Sequence, residues 1–257
     1  MTREVVESIL SLNKKSYQTI ASKFSQTRQQ PWDDFSWLDK EVQEGVSVLE
    51  IGCGNGRLFE YLAPKNIAYT GIDLSTNFVH IANERYGKHK LTPKFISGDV
   101  LALDSISELK NKHFDIIIGV AVLCHLPKPV HTQAIQQIKG FLAPNGEVVL
   151  YNWNLWRPSL REKTVWKGVK ERIFMKKNTW LGRYGLEKAS LRFKDVMTVW
   201  QSGPAKAPLY YYAFTVNELK SLFMSNGLAI KNIFYTKKGI KAHWWKGGNI
   251  YLSAKLD

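Results

Sequence analysis

Val48-Leu49-Glu50-Ile51-Gly52-Cys53-Gly54-Asn55-Gly56-Arg57-Leu58 decides the fold. Residues 47–51 form a short apolar strand. The alternating glycines after it let the chain turn sharply and bring backbone close to a ligand. A dinucleotide-binding loop has a glycine three residues after its second one, and here that position is Arg57, so the fingerprint fails. What remains is a GxGxG loop preceded by an acid, Glu50, and followed by a helical run through Leu62.

Outward from the loop, strand and helix alternate. Residues 68–72 read as a second strand ending at Asp73, and residues 77–85 as a helix. Residues 93–96 lead to Gly98-Asp99 as a third strand. Residues 114–122 are a nearly unbroken apolar run, as a central parallel strand buried on both faces requires. An amphipathic helix over 130–142 closes at Pro144-Asn145-Gly146, and a fifth strand covers 147–153. This rhythm predicts right-handed βαβ crossovers and a doubly wound, mostly parallel α/β sheet. It lapses for about fifty residues, then resumes with a helix over 215–226 capped by Thr215 and Glu218. Two strands, 230–235 and 249–254, complete the sheet as a C-terminal antiparallel hairpin around the basic turn 237–248. Upstream, residues 2–26 keep helical spacing as one or two amphipathic helices. The whole chain is expected to be one domain, 1–257, with a helical cap over about 1–45 and a basic, tryptophan-rich insertion over about 154–205.

Charge is distributed unevenly along the 257 residues. Of 36 Lys/Arg and 22 Asp/Glu, residues 151–257 hold 20 and 6, so the last part of the chain carries the whole net charge of +14. Such an excess suits a polyanionic partner. The insertion interleaves Trp156, Trp166, Trp180 and Trp200 with Arg157, Arg161, Lys163, Lys167, Lys170, Arg172, Lys176, Lys177 and Arg183. Cations among aromatics fit phosphate contacts and stacking on unpaired bases, and Lys237 and Lys238 extend the same character to the hairpin turn. Lysines on a solvated face over a small tryptophan core give the same composition. Cys53 and Cys124, the only cysteines, form no CxxC pair, so neither a disulfide framework nor a structural zinc is expected. No apolar run is long enough for a bilayer and no secretory leader is apparent, which makes the cytoplasm the expected compartment.

The GxGxG loop with Glu50, Asp73 after strand two and Asp99 after strand three resembles the cofactor site of class I S-adenosylmethionine-dependent methyltransferases. The resemblance implies their Rossmann-like sheet and S-adenosyl-L-methionine as cofactor, with S-adenosyl-L-homocysteine as product. Cofactor contacts are then expected from Tyr17, Arg28, Glu50, Gly52, Cys53, Gly54, Gly56, Asp73, Leu74, Asp99, Val100 and Val120. Asp73 is expected to accept from the ribose hydroxyls, and Asp99 to hold the adenine amino group.

A narrower resemblance runs along nearly the whole chain. Tyr17 to Arg28 followed by Pro31-Trp32, Val120 to Leu126, Asp195 to Trp200, Tyr210 to Phe214 and Asn249-Ile250-Tyr251 are similar to motifs of the tRNA wobble-uridine carboxymethyl methyltransferases. The same domain occurs fused to an AlkB-type oxygenase in animals. Two positions depart from that pattern, Cys124 where a histidine is usual and Val199 where a proline is usual. The resemblance implies methyl esterification of 5-carboxymethyluridine, tRNA as partner, and room for a small activator subunit of the kind eukaryotic relatives use. Methyl transfer is an in-line displacement, and a carboxylate is already ionised near neutral pH, so no general base is needed. Arg28 and His125 are the candidate catalytic groups. Arg28 would orient the acceptor carboxylate or hold that of the cofactor, and His125 would orient the acceptor or serve structure alone. Tyr17 either donates to the cofactor carboxylate or packs its ring on the sheet. A small acid or another RNA site as acceptor, and a silent cofactor-binding docking subunit, are the competing readings.

Overall fold

A computed structural model describes residues 1–166 and 191–257. Five parallel strands build the core of an eight-stranded sheet: β1 (Ser47–Ile51), β2 (Ala68–Asp73), β3 (Lys94–Ser97), β4 (Phe114–Val120) and β5 (Leu142–Trp153). Three more close it: β8 (Leu228–Lys237), β9 (Ile240–Ala242) and β10 (Asn249–Leu256). The order is β3-β2-β1-β4-β5-β10-β8-β9, with β10 running antiparallel to both β5 and β8. Strand order reverses between β1 and β4, which pair in parallel with no strand between them. Crevices above such a switch point are where ligands bind in this architecture.

The apolar run of β4 is buried as its composition requires, with Ile117 and Ile118 at zero exposure. Helices α2 (Arg57–Leu62), α3 (Thr76–Tyr86), α4 (His131–Gly140) and α6 (Val216–Met224) connect the strands, and the short α5 (Pro158–Arg161) follows β5. Thr215 and Glu218 form the capping box expected at the start of α6. Two apolar cores result, one on each face of the sheet. Ile9, Leu123, Ile135, Leu150 and Phe223 belong to one, and Phe35, Phe59, Tyr69, Tyr151 and Tyr251 to the other.

The N-terminal segment is one continuous helix, α1 (Arg3–Gln26), the first of the two forms its spacing allowed. One feature differs from the sequence reading. The second half of the region expected to be irregular holds strand β6 (Asp195–Ser202), which pairs antiparallel with β7 (Ala205–Tyr212) as a separate two-stranded sheet. Helix α1 packs across β7, and Asn13 makes the joint. Its side-chain amide donates to the carbonyls of His125 (2.9 Å) and Tyr210 (3.2 Å), and its oxygen accepts from the Tyr210 N–H at 2.9 Å. Asn13→Ala therefore strands the buried Tyr210 N–H and the His125 carbonyl, while the Tyr210 carbonyl keeps the His125 Nδ1 donor. A loss of about 2–3 kcal/mol in chemical denaturation is expected. A loss below about 0.5 kcal/mol would show that water replaces the amide and that the joint is not what holds α1.

Among the described residues, no helix is long and apolar enough to cross a membrane.

Candidate active site

Strand β1 ends at Ile51 and α2 begins at Arg57, leaving five residues to reverse the chain. Gly52 and Gly54 make the turn with φ of +68° and +53°, values that side chains resist. The Cys53 N–H donates to the Ile72 carbonyl (2.9 Å), and the Gly54 N–H donates to Asp73 Oδ2 (2.8 Å), tying the loop to the end of β2. Asp73 Oδ1 accepts from the Ser75 N–H, also at 2.8 Å. Each carboxylate oxygen keeps a free lone pair. Burial pushes the Asp73 carboxyl up to about 6, against the pull of the two N–H donors.

Loop and strand ends enclose a cavity of about 230 Å³. Gly52, Cys53, Gly54, Asp73, Leu74, Asp99, Val100 and Val120 line it. Asp99 Oδ1 also accepts from the Leu101 N–H at 2.9 Å, which turns the chain so that Val100 faces the cavity. A Cβ on Gly54 would meet nothing within 4 Å, so the backbone there is open to a ligand. These features fit S-adenosylmethionine: spare acceptors at Asp73 for ribose hydroxyls, an open backbone at Gly54, and the Val100 side chain for the adenine. Gly56 is a correction. It does not line the cavity, because its α-carbon faces the rings of Tyr86 and Phe95, at 2.9 and 3.1 Å from a Cβ placed there. Its role is packing.

Glu50 lines the cavity floor but is 3 % exposed and accepts from the Tyr69 hydroxyl. Burial pushes its carboxyl up to about 8, with the Tyr69 hydrogen bond and the Arg57 charge pulling the other way. Glu50 is therefore largely protonated at neutral pH.

The opposite wall comes from the N-terminal helix and the hairpin. Arg28 follows the end of α1, lies 4.3 Å over the Phe24 ring and donates to Thr27 Oγ1 at 2.7 Å. Its carbonyl accepts from Asn55 Nδ2 (2.9 Å), which anchors this segment to the glycine loop. The Tyr17 hydroxyl lies 2.7 Å from His125 Nε2, and His125 Nδ1 lies 3.0 Å from the Tyr210 carbonyl. The carbonyl can only accept, so Nδ1 carries the proton and Nε2 accepts from Tyr17. Burial lowers the His125 imidazole to about 4, so it is neutral. Both ring nitrogens are occupied, which leaves His125 as a positioning residue rather than a base. The same bond uses the Tyr17 hydrogen, which the sequence reading offered to the cofactor carboxylate.

Sequence reasoning did not single out Arg57, Trp32, Trp153 or Tyr211 as site residues, and all line the cavity, as does Trp200, which it offered as a base-stacking aromatic. Arg57 was legible: a cation at the first position of a helix opposes the helix dipole. The aromatics were not, since β5, β6, β7 and the segment before β1 meet here only through tertiary packing. Trp200 lies 6.0 Å from Phe24, Tyr211 4.4 Å from His125, and Trp32 6.3 Å from Trp153.

Of the expected RNA contacts, Lys237 and Lys238 are exposed at the tip of the β8–β9 hairpin. Asp34 holds that hairpin by accepting from Thr236 (3.1 Å) and Gly239 (2.7 Å). Trp244 and Trp245, in the following turn, are 43 % and 44 % exposed, and His243 stacks on Trp245 at 4.5 Å. Asn154 ties this turn to the end of β5 by donating to the Trp244 and Gly247 carbonyls (2.6 and 3.0 Å). Lys163 is exposed, while Arg157 and Arg161 are half-buried. Lys167, Lys170, Arg172, Lys176, Lys177 and Arg183 lie outside the described residues.

Residues 48–146 match a family model described as a methyltransferase domain. The chain is 31% identical over 166 residues to the tRNA (carboxymethyluridine(34)-5-O)-methyltransferase of Mus musculus, covering 61% of this chain but 23% of that protein. It is 24% identical over 230 residues to the Schizosaccharomyces pombe protein of the same name, covering 89% of this chain and 92% of that one. Among solved structures, it resembles the CcbJ methyltransferase of Streptomyces caelestis with a TM-score of 0.65 at 14% identity, covering 95% of this chain and 98% of that one. The chain thus spans about a quarter of the length of the mouse relative.

Proposed function

We propose that the S-adenosylmethionine-dependent methyltransferase domain of this chain methyl-esterifies the carboxylate of a 5-carboxymethyluridine at the wobble position of tRNA. One observation carries this reading: the acceptor end of the cavity offers cations and aromatics but no free base among the described residues. His125 is neutral with both nitrogens engaged, burial raises the Cys53 and Cys124 thiols, and Asp73 and Glu50 are committed to the loop floor. An acceptor without a base to deprotonate it must arrive as its own nucleophile, and a carboxylate does.

S-Adenosylmethionine, when bound, supplies a methyl group on a sulfonium. Asp73 and the open Gly54 backbone would hold its ribose and chain, and Asp99 and Val100 its adenine. Phe24, Trp32, Trp153 and Trp200 exclude water, which strengthens the attraction between a carboxylate and a sulfonium and favours the neutral products. Arg28 would orient one carboxylate, its planar fork suiting that group.

Relatives named as carboxymethyluridine methyltransferases support the acceptor, as do the basic hairpin and the exposed Trp244 and Trp245 of the turn that Asn154 fastens to the end of β5. The cytoplasm is the proposed compartment. Tritium from labelled cofactor is expected in tRNA taken from cells lacking wobble methyl esters, and mild base should release it from the digested nucleoside. A base-stable label, or none with cofactor binding intact, would overturn the assignment. For the RNA surface, Lys237→Ala with Lys238→Ala is expected to weaken tRNA binding about three- to tenfold and to lower the slope of log affinity against log salt by about 1–2. An unchanged slope would place the hairpin off the RNA path.

A further inference from the structure

We infer that Arg57 grips the acceptor's carboxylate and so determines specificity for an acidic acceptor. The inference rests on the carboxylate acceptor proposed above and names the residue that reads it.

Arg57 is the first residue of α2, directly after the glycine loop, and its side chain lines the cavity. Its guanidinium lies 4.4 Å over the Trp32 ring and 5.9 Å from that of Phe35, on the cavity wall. Among the described residues, no carboxylate comes within ion-pair distance of it. Glu50 is the acid whose charge bears on it, but Glu50 is largely protonated at neutral pH. Burial and the like charge of Arg28 both work against the Arg57 cation, which lowers it to about 10 and still leaves it charged. A desolvated guanidinium held flat by aromatics, with its donors unspent, is a receptor for a carboxylate.

Arg28 and Arg57 are close enough for the Arg28 charge to bear on Arg57, but they rest on different rings. Arg28 rests on Phe24, which contacts Phe78 of α3 at 5.5 Å, next to Asp73 and the cofactor end. Arg57 rests on Trp32, which meets Trp153 at the end of β5, where Asn154 fastens the basic hairpin turn. With Arg57 on the acceptor carboxylate, Arg28 is left for that of the cofactor.

The test uses two anticodon stem-loop RNAs, one with 5-carboxymethyluridine at the wobble position and one with its neutral carboxamide. Wild type should bind the carboxylate RNA at least about tenfold more tightly than the carboxamide. Arg57→Met should bring the two within about twofold and raise KM for the carboxylate RNA about 10- to 30-fold, with affinity for S-adenosylhomocysteine changed less than about threefold. Arg57→Lys keeps the charge but not the fork, and should retain part of the preference; it reads the same ratio if the methionine variant melts early. Unchanged discrimination in both variants overturns the inference. So does a loss of S-adenosylhomocysteine affinity at an unchanged melting temperature, which would assign Arg57 to the cofactor. If wild type transfers no methyl to the carboxylate RNA, the proposed function itself fails, and that result is visible before any variant is made.

Discussion

Asp73→Asn is expected to weaken S-adenosylmethionine binding about 30- to 100-fold without unfolding the protein. The carboxylate has one oxygen on the Gly54 N–H and one on the Ser75 N–H, and its remaining lone pairs face the cavity. Hydrogen bonds to a charged acceptor contribute about 1.5–3 kcal/mol each, and the amide presents an N–H₂ where one of these acceptors was, so a net loss of about 2–3 kcal/mol is reasonable. The fold survives because the amide oxygen still accepts from one of the two loop N–H groups.

The same residue sets a pH dependence whose sign is fixed by its role. Burial raises the Asp73 carboxyl to about 6, and hydroxyl donors from a ribose favour the ionised form. Protons therefore compete with the cofactor. Affinity should be flat above about pH 7 and fall as pH drops through 6, by about tenfold at pH 5. Titration calorimetry at pH 7.5, 6 and 5 measures it, with Asp73→Asn as the control that should stay level across this range. A wild-type affinity level to pH 5 would remove Asp73 from the ribose.

Gly52→Ala is expected to cost about 2–4 kcal/mol of stability and to abolish turnover. An alanine at φ +68° costs about 1–2 kcal/mol for its backbone alone. Its Cβ would also land 2.4 Å from Val122 Cγ2. Val122 has little freedom to retreat, because it follows Ala121, itself held at φ +57° as the chain leaves β4. Adding Val122→Ala should recover the steric part, about 1–2 kcal/mol, and leave the backbone part. Gly54→Ala is the contrast. Nothing lies within 4 Å of its added Cβ, so stability should fall only by the backbone cost of about 1 kcal/mol, while the methyl enters the cavity and cofactor affinity drops at least about tenfold. Equal stability losses at the two glycines, read by chemical denaturation, would refute this division of roles.

Some of the site was legible from the residues themselves. The loop 52–56, Asp73 and Asp99 stand out in the sequence because each lies at or within two residues of a strand end, and strand ends are marked locally by apolar runs, glycines and acids. The capping box at Thr215 and the antiparallel closing strand follow from equally local rules. Gly56 was misassigned because a glycine that meets a ligand and one that meets a tyrosine ring look alike along the chain.

The amino-acid sequence by itself thus determined the sheet, the cofactor end of the crevice and the basic character of the last third, since all three are properties of residues within a few positions of one another. Tertiary structure decided the acceptor end. Only the packing of α1 across β7 brings the Tyr17 hydroxyl to His125 and makes that histidine a neutral support with both ring nitrogens bonded. Only the meeting of Trp32 with the end of β5 gives Arg57 its aromatic seat, and only burial raises the Glu50 carboxyl. Desolvation is the reason: it depends on what closes over a group in space, and the residues that do so here are separated by up to two hundred positions in the chain.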